Sequence, residues 1–437
     1  MQRILDRLLR LQDASKAERA ATLWSAVTFF LVLCSYYLLR PLRERIGTDL
    51  GADRLDDLFG ATLLCVTLVN PCVMALANWL PSRRFVPLAW HAFAVCMVAF
   101  CVLFTGTDFH GAKDMPWDAT PVLVGAGYFV WLSTFNVFAT TLFWMAAVEH
   151  FDTGQGRRLF GLVGVGGTAG AVVGSLVIHQ LAHLIQPEHQ LLLAAACLEA
   201  AVFCFARMTM RCRAMREQGA EGAVLVKRER IADAGVLEGM RRFVRSPYLW
   251  GIGLYMLLMG AMSTPVYFQQ NLLVAEIVPD RASREELFAV LNLVGQSFVL
   301  VLQLFATGRV LVFVGVGAVL LVMPFATALG LGALALAPTI ATLVMVEVMR
   351  RGAQFALDKP AREVLYTPLS LEEKHKTKAF LDTFVFRLGD WCGARLQVGL
   401  RDMDASTAQL AVGALPVAAA CAAIGWLLGR RVRNHPC

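Results

Sequence analysis

Residues Phe355–Asp390 read FALDKPAREVLYTPLSLEEKHKTKAFLDTFVFRLGD, a stretch that joins two apolar segments through a short charged loop. The second apolar segment still carries Asp382, Arg387 and Asp390. A charged side chain inside a membrane-length helix is costly unless it is paired or lines a wet cavity, so such residues indicate functional sites. The stretch therefore predicts a helical membrane protein with polar groups in its interior.

The composition of the whole chain favours the same class. Its 437 residues are 57% hydrophobic and 17% charged, with a mean hydropathy of +0.58. A soluble domain averages about 45–50% apolar and about 25% charged residues. Because apolar runs of about 20 residues recur along the chain, we predict an all-α polytopic membrane protein.

The net charge of +7 comes from lysines and arginines that cluster in alternate loops, as in the cytoplasmic loops of membrane proteins. It therefore predicts no nucleic-acid partner. Met1–Arg19 is polar and basic, which indicates no cleavable signal peptide. Most cysteines lie inside apolar runs, where they are expected to pack as small buried side chains rather than to form disulfides.

Hydropathy predicts about twelve transmembrane helices. They cover residues 21–39, 58–80, 85–105, 121–148, 159–184, 191–206, 247–273, 287–307, 310–331, 338–357, 378–400 and 408–428. We expect a cytoplasmic amphipathic amino terminus (1–20), a six-helix half (21–206), a basic cytoplasmic linker (207–246), a second six-helix half (247–428) and a cytoplasmic tail (429–437).

Two six-helix halves joined by a basic linker are typical of the major facilitator fold, whose pseudo-symmetric halves rock around a site near the middle of the membrane. A different twelve-helix fold is the alternative. The inner segments hold roughly three times as many lysines and arginines as the outer ones, so both termini are expected to be cytoplasmic. We expect a multi-pass monomer in the lipid bilayer of a bacterial inner membrane.

Stripes of glycine recur in corresponding helices of the two halves. Gly166, Gly170 and Gly174 are spaced by four residues in predicted helix five, and Gly389 and Gly393 in helix eleven. Small residues on one stripe let two helices approach closely. The stripes therefore predict close helix packing, with a functional role as the alternative.

Polar residues also recur inside the predicted helices. Helix ten carries Glu347, Arg350, Arg351, Gln354 and Asp358 on one helical face. Arg387 and Asp390 are three apart and can pair, and helices eight and four offer further amides. Polar groups in lipid-length helices must face the bundle interior. They predict contact with a substrate or its path, with a structural ion-pair network as the alternative.

Other polar residues give weaker signals. Glu199 is the only acid in predicted helix six and is a candidate proton-coupling carboxylate. His179 and His183 are four apart but have no third ligand in the sequence pattern, so they favour an interfacial position over a metal site. Nothing matches a nucleotide-hydrolysing loop, a nucleophile elbow or a zinc-protease helix. We therefore expect neither an enzyme nor a cofactor.

Three sequence elements keep a common order across both halves. They are YYLLRPLRE at 36–44, LFWMAAVEHFDTGQGRRLFGLVGVGG at 142–167, and DKPAREVLYTPLSLEEKHKTKAFLD at 358–382 followed by FRLGD at 386–390. Together they resemble the ATP:ADP antiporter (nucleotide transporter) family of plastids and obligate intracellular bacteria, here as a divergent member within the major facilitator superfamily.

The resemblance implies that Arg43 and Arg362 stand where that family has two substrate-binding lysines, one in each half, and that Arg40 matches a family arginine. Arginine suits a phosphate because it offers a planar fork of donors. The alternatives are a gating ion pair, of Arg43 with Glu44 and of Arg362 with Glu363, or contact of both arginines with lipid headgroups at the membrane interface. The family's acids in helices four and seven have no counterpart in WLSTFNVF (131–138) or MSTPVYFQQ (262–270), so we expect a phosphorylated substrate other than the ATP and ADP pair.

The sequence thus predicts a secondary transporter that moves an anionic, nucleotide-like small molecule by alternating access and exchange. The predicted substrate-binding residues are Arg43, Arg362, Arg40, Asn136, Asn292, Gln296, Glu347 and Gln354. The predicted coupling or gating residues are Asp358, Lys359, Asp382, Arg387, Asp390 and Glu199. The alternative is a proton-coupled exporter of a drug or amphiphilic metabolite, in which Glu199, Asp382 or Asp390 would carry the proton.

Overall fold

The computed structural model describes residues 15–151, 153–219, 243–366, 369, 377–378, 380–403 and 406–434. Every regular element within these ranges is helical. Four predicted features lie wholly or largely outside the described residues: the amphipathic amino terminus, most of the basic linker, the charged loop before predicted helix eleven and the end of the tail.

Twelve helical units follow one another in the described chain. The first six are α1 (Lys16–Leu50), α2 (Leu55–Trp79), α3 (Ser82–Thr105), α4 (Thr120–His150), α5 (Thr153–Leu181) and α6 (Pro187–Gly219). The next three are α7 (Pro247–Ile277), α8 (Arg281–Phe305) and α9 (Val316–Leu336), with a short helix, Thr307–Val314, between α8 and α9. The last three are α10 (Ile340–Arg351, Gly352–Asp358 and Lys359–Leu365), α11 (Leu381–Val385 and Phe386–Asp402) and α12 (Thr407–Asn434).

Among the described residues, ten helices are long and apolar enough to cross a membrane. The other two units, α10 and α11, are divided into shorter pieces by π-helical turns at Gly352–Asp358 and Leu381–Val385. Such turns are frequent at functional sites. The predicted all-α polytopic membrane fold is confirmed.

We name the two ends of the helix bundle by the connections that they contain. The far end contains the connections after α1, α3, α5, α7, α9 and α11, whereas the linker end contains the other connections, including the one between α6 and α7. Under the orientation predicted from the sequence, the linker end faces the cytoplasm.

Helix α1 is longer than the sequence predicted. Its first helical span was expected to end near Arg40, but α1 continues to Leu50 with Pro41 inside it. A proline removes one backbone hydrogen bond without necessarily ending a helix. Because Arg43 is buried within this continuation, it lies inside the protein rather than at a helix end. Similarly, α6 continues through the start of the predicted linker to Gly219.

The glycine stripes lie where helices cross most closely. A Cβ added to Gly170 of α5 would overlap the carbonyl oxygen of Phe30 in α1, and one on Gly393 of α11 would overlap that of Ala261 in α7. The remaining stripe residues meet backbone atoms of the same two helices: Gly166, Gly174 and Gly389. The first helix of each half is thus held against the fifth by the same device, which fixes the helices that carry the charged residues.

Candidate functional site

Charged side chains from both halves meet inside the bundle in what we call the central cluster. Helix α1 supplies its first-half members, and α10 and α11 supply the others. The members are Arg40, Arg43, Glu44, Glu347, Arg350, Arg351, Arg387 and Asp390. The cluster therefore spans the boundary between the two halves.

In α1, Arg43 is held from three sides. Its Nη1 donates to Glu44 Oε1 at 3.0 Å and its Nε donates to Ser133 Oγ at 3.0 Å. The guanidinium carbon lies 3.8 Å from the centre of the Phe129 ring, a cation–π contact. The Arg43–Glu44 ion pair, which the sequence left as an alternative to substrate binding, is therefore present.

In α10, Glu347 is paired with two arginines on the same helix. Arg350 Nη2 lies 3.0 Å from Glu347 Oε1, and Arg351 Nε donates to Glu347 Oε2 at 2.9 Å. Arg351 Nη1 also donates to Asn292 Oδ1 of α8 at 2.5 Å. The three- and four-residue spacing explains these pairs, because it places the side chains on one face of the helix.

Further contacts connect α1 with the second half. Arg40 interacts electrostatically with Glu347, and Asp390 interacts with both Arg350 and Arg43. Gln296 of α8 donates from Nε2 to the Tyr37 hydroxyl of α1 at 2.7 Å, and Arg40 Nη1 donates to the same hydroxyl at 3.1 Å. The Tyr37 hydroxyl thus joins the two halves, a role that the sequence pattern did not indicate.

The predicted pair in α11 is also formed. Arg387 Nη1 donates to Asp390 Oδ2 at 3.1 Å. The Asp390 backbone carbonyl accepts a hydrogen bond from Thr264 Oγ1 of α7 at 3.0 Å. The central cluster then contains five arginines and three carboxylates, an excess of two positive charges. A water-poor interior with such an excess favours an anion.

Arg362 lies in a second group, which we call the linker-end cluster. Its Nε donates to Asp358 Oδ2 at 2.8 Å, and its Nη1 lies 3.9 Å from Asp382 Oδ1. The Tyr255 hydroxyl donates to the other Asp358 oxygen at 2.6 Å. Glu363, the partner that the sequence suggested for Arg362, pairs with Lys378 instead.

Arg362 and Arg43 therefore do not converge on one point. Arg362 follows Arg351 by eleven residues, which corresponds to about 16 Å along a helix axis. Lys359 belongs to the linker-end cluster, where it interacts electrostatically with Asp382. Arg43 thus lies in the central cluster, whereas Arg362 lies nearer the linker end.

Two predicted amides are half-buried: Asn136 of α4 and Gln354 of α10. Within the described part of the chain, neither side chain makes a hydrogen bond. Gln354 lies in the π-helical turn, which rotates it away from the regular four-residue register of Glu347. Both amides therefore have free donors and acceptors, and their binding role stays a prediction.

Glu199 lies apart from both clusters. Its Oε1 is 2.8 Å from His91 Nδ1 of α3, and both side chains are about half exposed on the outer surface of the bundle. His179 and His183 lie near the far end, where both contact Glu286 of α8. Within the described residues, no group of three or more potential ligands has the geometry of a metal site.

A third group of ion pairs closes the far end between the halves. Asp49 of α1 accepts a hydrogen bond from Arg284 Nη1 at 2.9 Å and lies 3.4 Å from Arg281 Nε. We call these pairs, together with the other ion pairs that join the two halves at this end, the far-end cluster. It also includes Arg45 with Glu285, Arg395 with Asp56 and Asp57, Arg401 with Asp53, and Arg281 with Asp108.

In this cluster, the pKa of Asp108 is lowered. The main cause is the hydrogen bond from the His110 backbone N–H, and Arg281 adds to it. Asp108 therefore stays ionised at physiological pH. No sequence pattern indicated the far-end cluster, because its partners lie far apart along the chain and in loops or at helix ends, where charged residues are common.

A large cavity of about 980 Å³ lies in a groove between α2, α3 and α4, away from the central and linker-end clusters. Its lining is almost entirely apolar, with Asp57 as its one charged residue. An apolar groove of this kind suits hydrocarbon rather than an anion. We therefore place the candidate anion site at the central cluster.

Comparison with known proteins supports a transporter. Residues 284–434 match the model of the TLC ATP/ADP transporter family. This segment includes the DKPAREV and FRLGD elements, so the resemblance stated above is confirmed there. The two elements in the first half lie outside the matched residues. No curated protein sequence matches the chain.

Solved structures share the overall fold at low sequence identity. The nucleoside transporter NupG has 14% identity over 95% of this chain and 98% of that chain, with a TM-score of 0.54. A bacterial homolog of the human lysosomal transporter Spinster, in an inward-facing and unoccupied conformation, has 13% identity over 97% and 100%, with a TM-score of 0.56. The peptide transporter POT in complex with sulfate has 14% identity over 94% and 95%, with a TM-score of 0.58.

Proposed function

We propose that this chain exchanges a phosphorylated, nucleotide-like anion across a bacterial inner membrane. It is a multi-pass transporter of the major facilitator type with an ATP/ADP transporter domain at residues 284–434. Its termini and linker face the cytoplasm, it works as an exchanger without a cofactor, and its substrate is a small molecule.

The observation that carries the proposal is the positive excess of the central cluster. Arginines of α1 interact electrostatically with carboxylates of α10 and α11, so an anion bound between the halves lies within the electrostatic range of arginines from both. Arg350 and Arg387 both remain partly accessible, with 12% and 21% of their side chains exposed. Planar guanidinium groups on two sides suit the several oxygens of a phosphate or diphosphate.

The far-end cluster supports alternating access. It joins α1 and α2 of the first half to α8 and α11 of the second, which closes one side of the central cluster. A transporter that opens to one side at a time needs such a contact to break and re-form in each cycle. The structure then corresponds to a state closed at the far end, the periplasmic side under the proposed orientation.

Transport by purified protein in liposomes tests the proposal. Liposomes loaded with unlabelled nucleotides or other phosphorylated metabolites are expected to take up the labelled counterpart, without ATP hydrolysis. Arg43→Gln and Arg350→Gln each remove one charge-assisted contact to the anion, worth about 1.5–3 kcal/mol, and should lower kcat/KM by about ten- to a hundredfold. Uptake that is insensitive to both substitutions would exclude the central cluster as the site.

Two further variants sharpen the assignment. Arg309→Gln alters an exposed arginine of the short helix after α8 and should leave uptake unchanged. Arg362→Gln tests the linker-end cluster separately. A loss with this variant alone would move the site from the central cluster toward the linker end.

The proton-coupled exporter is the second candidate, and one observation favours it. The Asp382 carboxylate of α11 lies 3.9 Å from Arg362 Nη1, and its side chain is 43% exposed. A proton could therefore reach it. In that case transport would stop when the pH gradient is removed, and competing nucleotides would not inhibit it. Exchange, in contrast, would continue without the gradient.

A further inference from the structure

The outer surface formed by α3 and α6 carries a hydrogen-bonded histidine–glutamate pair where a membrane protein normally exposes only apolar side chains. His91 Nδ1 lies 2.8 Å from Glu199 Oε1. The two side chains are 50% and 45% exposed, respectively. His91 is near the middle of α3 (Ser82–Thr105), so the pair lies at the depth of the hydrocarbon core rather than of the headgroups.

The residues around the pair show that it faces outward. One turn away on α3 are Leu88 and Val95, which are exposed, and one turn beyond Glu199 on α6 is Phe203, which is also exposed. Neither central nor linker-end residues contact the pair. In lipid, a polar side chain needs a hydrogen-bond partner for each free donor and acceptor.

The surface beside the pair carries small side chains. Ala196 and Ala200 of α6 and Ala92 of α3 are exposed next to Glu199 and His91. Small side chains spaced by four residues let another helix approach closely, and polar side chains then bond across the contact. The pair and the alanines together define what we call the α3/α6 face.

We propose that the α3/α6 face is the contact between two copies of this chain in the membrane. The partner is a second copy because the pair complements itself. Within the described residues, the second nitrogen of His91 and the second oxygen of Glu199 have no hydrogen bond. A two-fold axis beside the pair brings the second ring nitrogen of each His91, in its protonated form, to the free carboxylate oxygen of the other copy, to which it donates a hydrogen bond.

This dimer replaces the monomer expected from the sequence. It also gives Glu199 a role in assembly instead of proton coupling, which explains its position away from the central cluster. The proposal does not depend on the identity of the substrate.

Single-molecule photobleaching of labelled protein in lipid bilayers tests the proposal, since it counts copies over a range of densities. The unaltered protein is expected to dimerise. His91→Ala combined with Glu199→Ala should raise the dissociation constant of the dimer about tenfold, because two polar contacts are lost. Ala200→Trp should abolish the dimer by blocking close approach.

The matched control is Leu329→Trp, which introduces the same side chain at an exposed position on α9 and should leave the dimer intact. Transport by each variant shows that it is folded. A monomeric unaltered protein at every density would overturn the proposal. So would a dimer that survives Ala200→Trp and the double alanine variant, because its contact would then lie elsewhere.

Discussion

Neutralising Asp49 should open the far end of the transporter. Its side chain is 4% exposed and lies between Arg284 at 2.9 Å and Arg281 at 3.4 Å, both from the opposite half. Asp49→Asn keeps the shape but removes the charge that holds these arginines. Breaking one side of a buried pair costs about 3–5 kcal/mol, and the amide oxygen retains part of the contact, so we expect a net loss of about 2 kcal/mol.

That loss corresponds to about a thirtyfold change in the equilibrium between far-end-closed and far-end-open states. A population of roughly 99 to 1 in favour of the closed state would become roughly 3 to 1. Spin labels at Gly106 and Met403, attached through noncanonical residues so that native cysteines do not react, report the distance across the far end. Both positions are exposed and belong to different halves.

Asp53→Asn is the matched control. Asp53 also pairs across the halves, with Arg401, but its side chain is 79% exposed. Exposed pairs contribute about 0–1 kcal/mol, so the distance distribution should change little. The reasoning fails if Asp49→Asn leaves the distribution unchanged, or if Asp53→Asn shifts it equally.

Two further substitutions test packing and the interior charges. Gly393→Ala places a Cβ against the Ala261 carbonyl and should destabilise the protein by about 2 kcal/mol or more. Gly399→Ala is the control, because a Cβ at this position meets open space and should not destabilise the protein. Thermal unfolding in detergent compares the two variants, and equal melting temperatures would contradict the close packing of α11 on α7. Glu347→Gln removes the carboxylate that pairs with Arg350 and with the buried Arg351, and it should cost about 2–3 kcal/mol of stability and most transport activity. Glu276→Gln, at an exposed position near the end of α7, is its control, and a similar effect of both would show that burial of Glu347 is unimportant.

Local patterns in the sequence determined much of this protein. Apolar runs of membrane length required helices, because backbone groups in lipid must bond within their own segment. The three-residue spacing of Arg387 and Asp390 predicted their ion pair, and the glycine stripes predicted close packing of α5 and α11. The resemblance carried by DKPAREV and FRLGD was confirmed by the family match at residues 284–434.

Only the tertiary structure decided which charges meet. Arg43 lies inside a continuous α1, because the residues after Pro41 are stabilised by partners from other helices that no local pattern shows. Arg362 pairs with Asp358 rather than Glu363, since four residues along a helix return to the same face and one residue does not. Asp49 accepts a hydrogen bond from Arg284, which lies 235 residues later in the sequence. Helix formation depends on near neighbours in the chain, whereas the meeting of α1 with α8 depends on how all the helices pack.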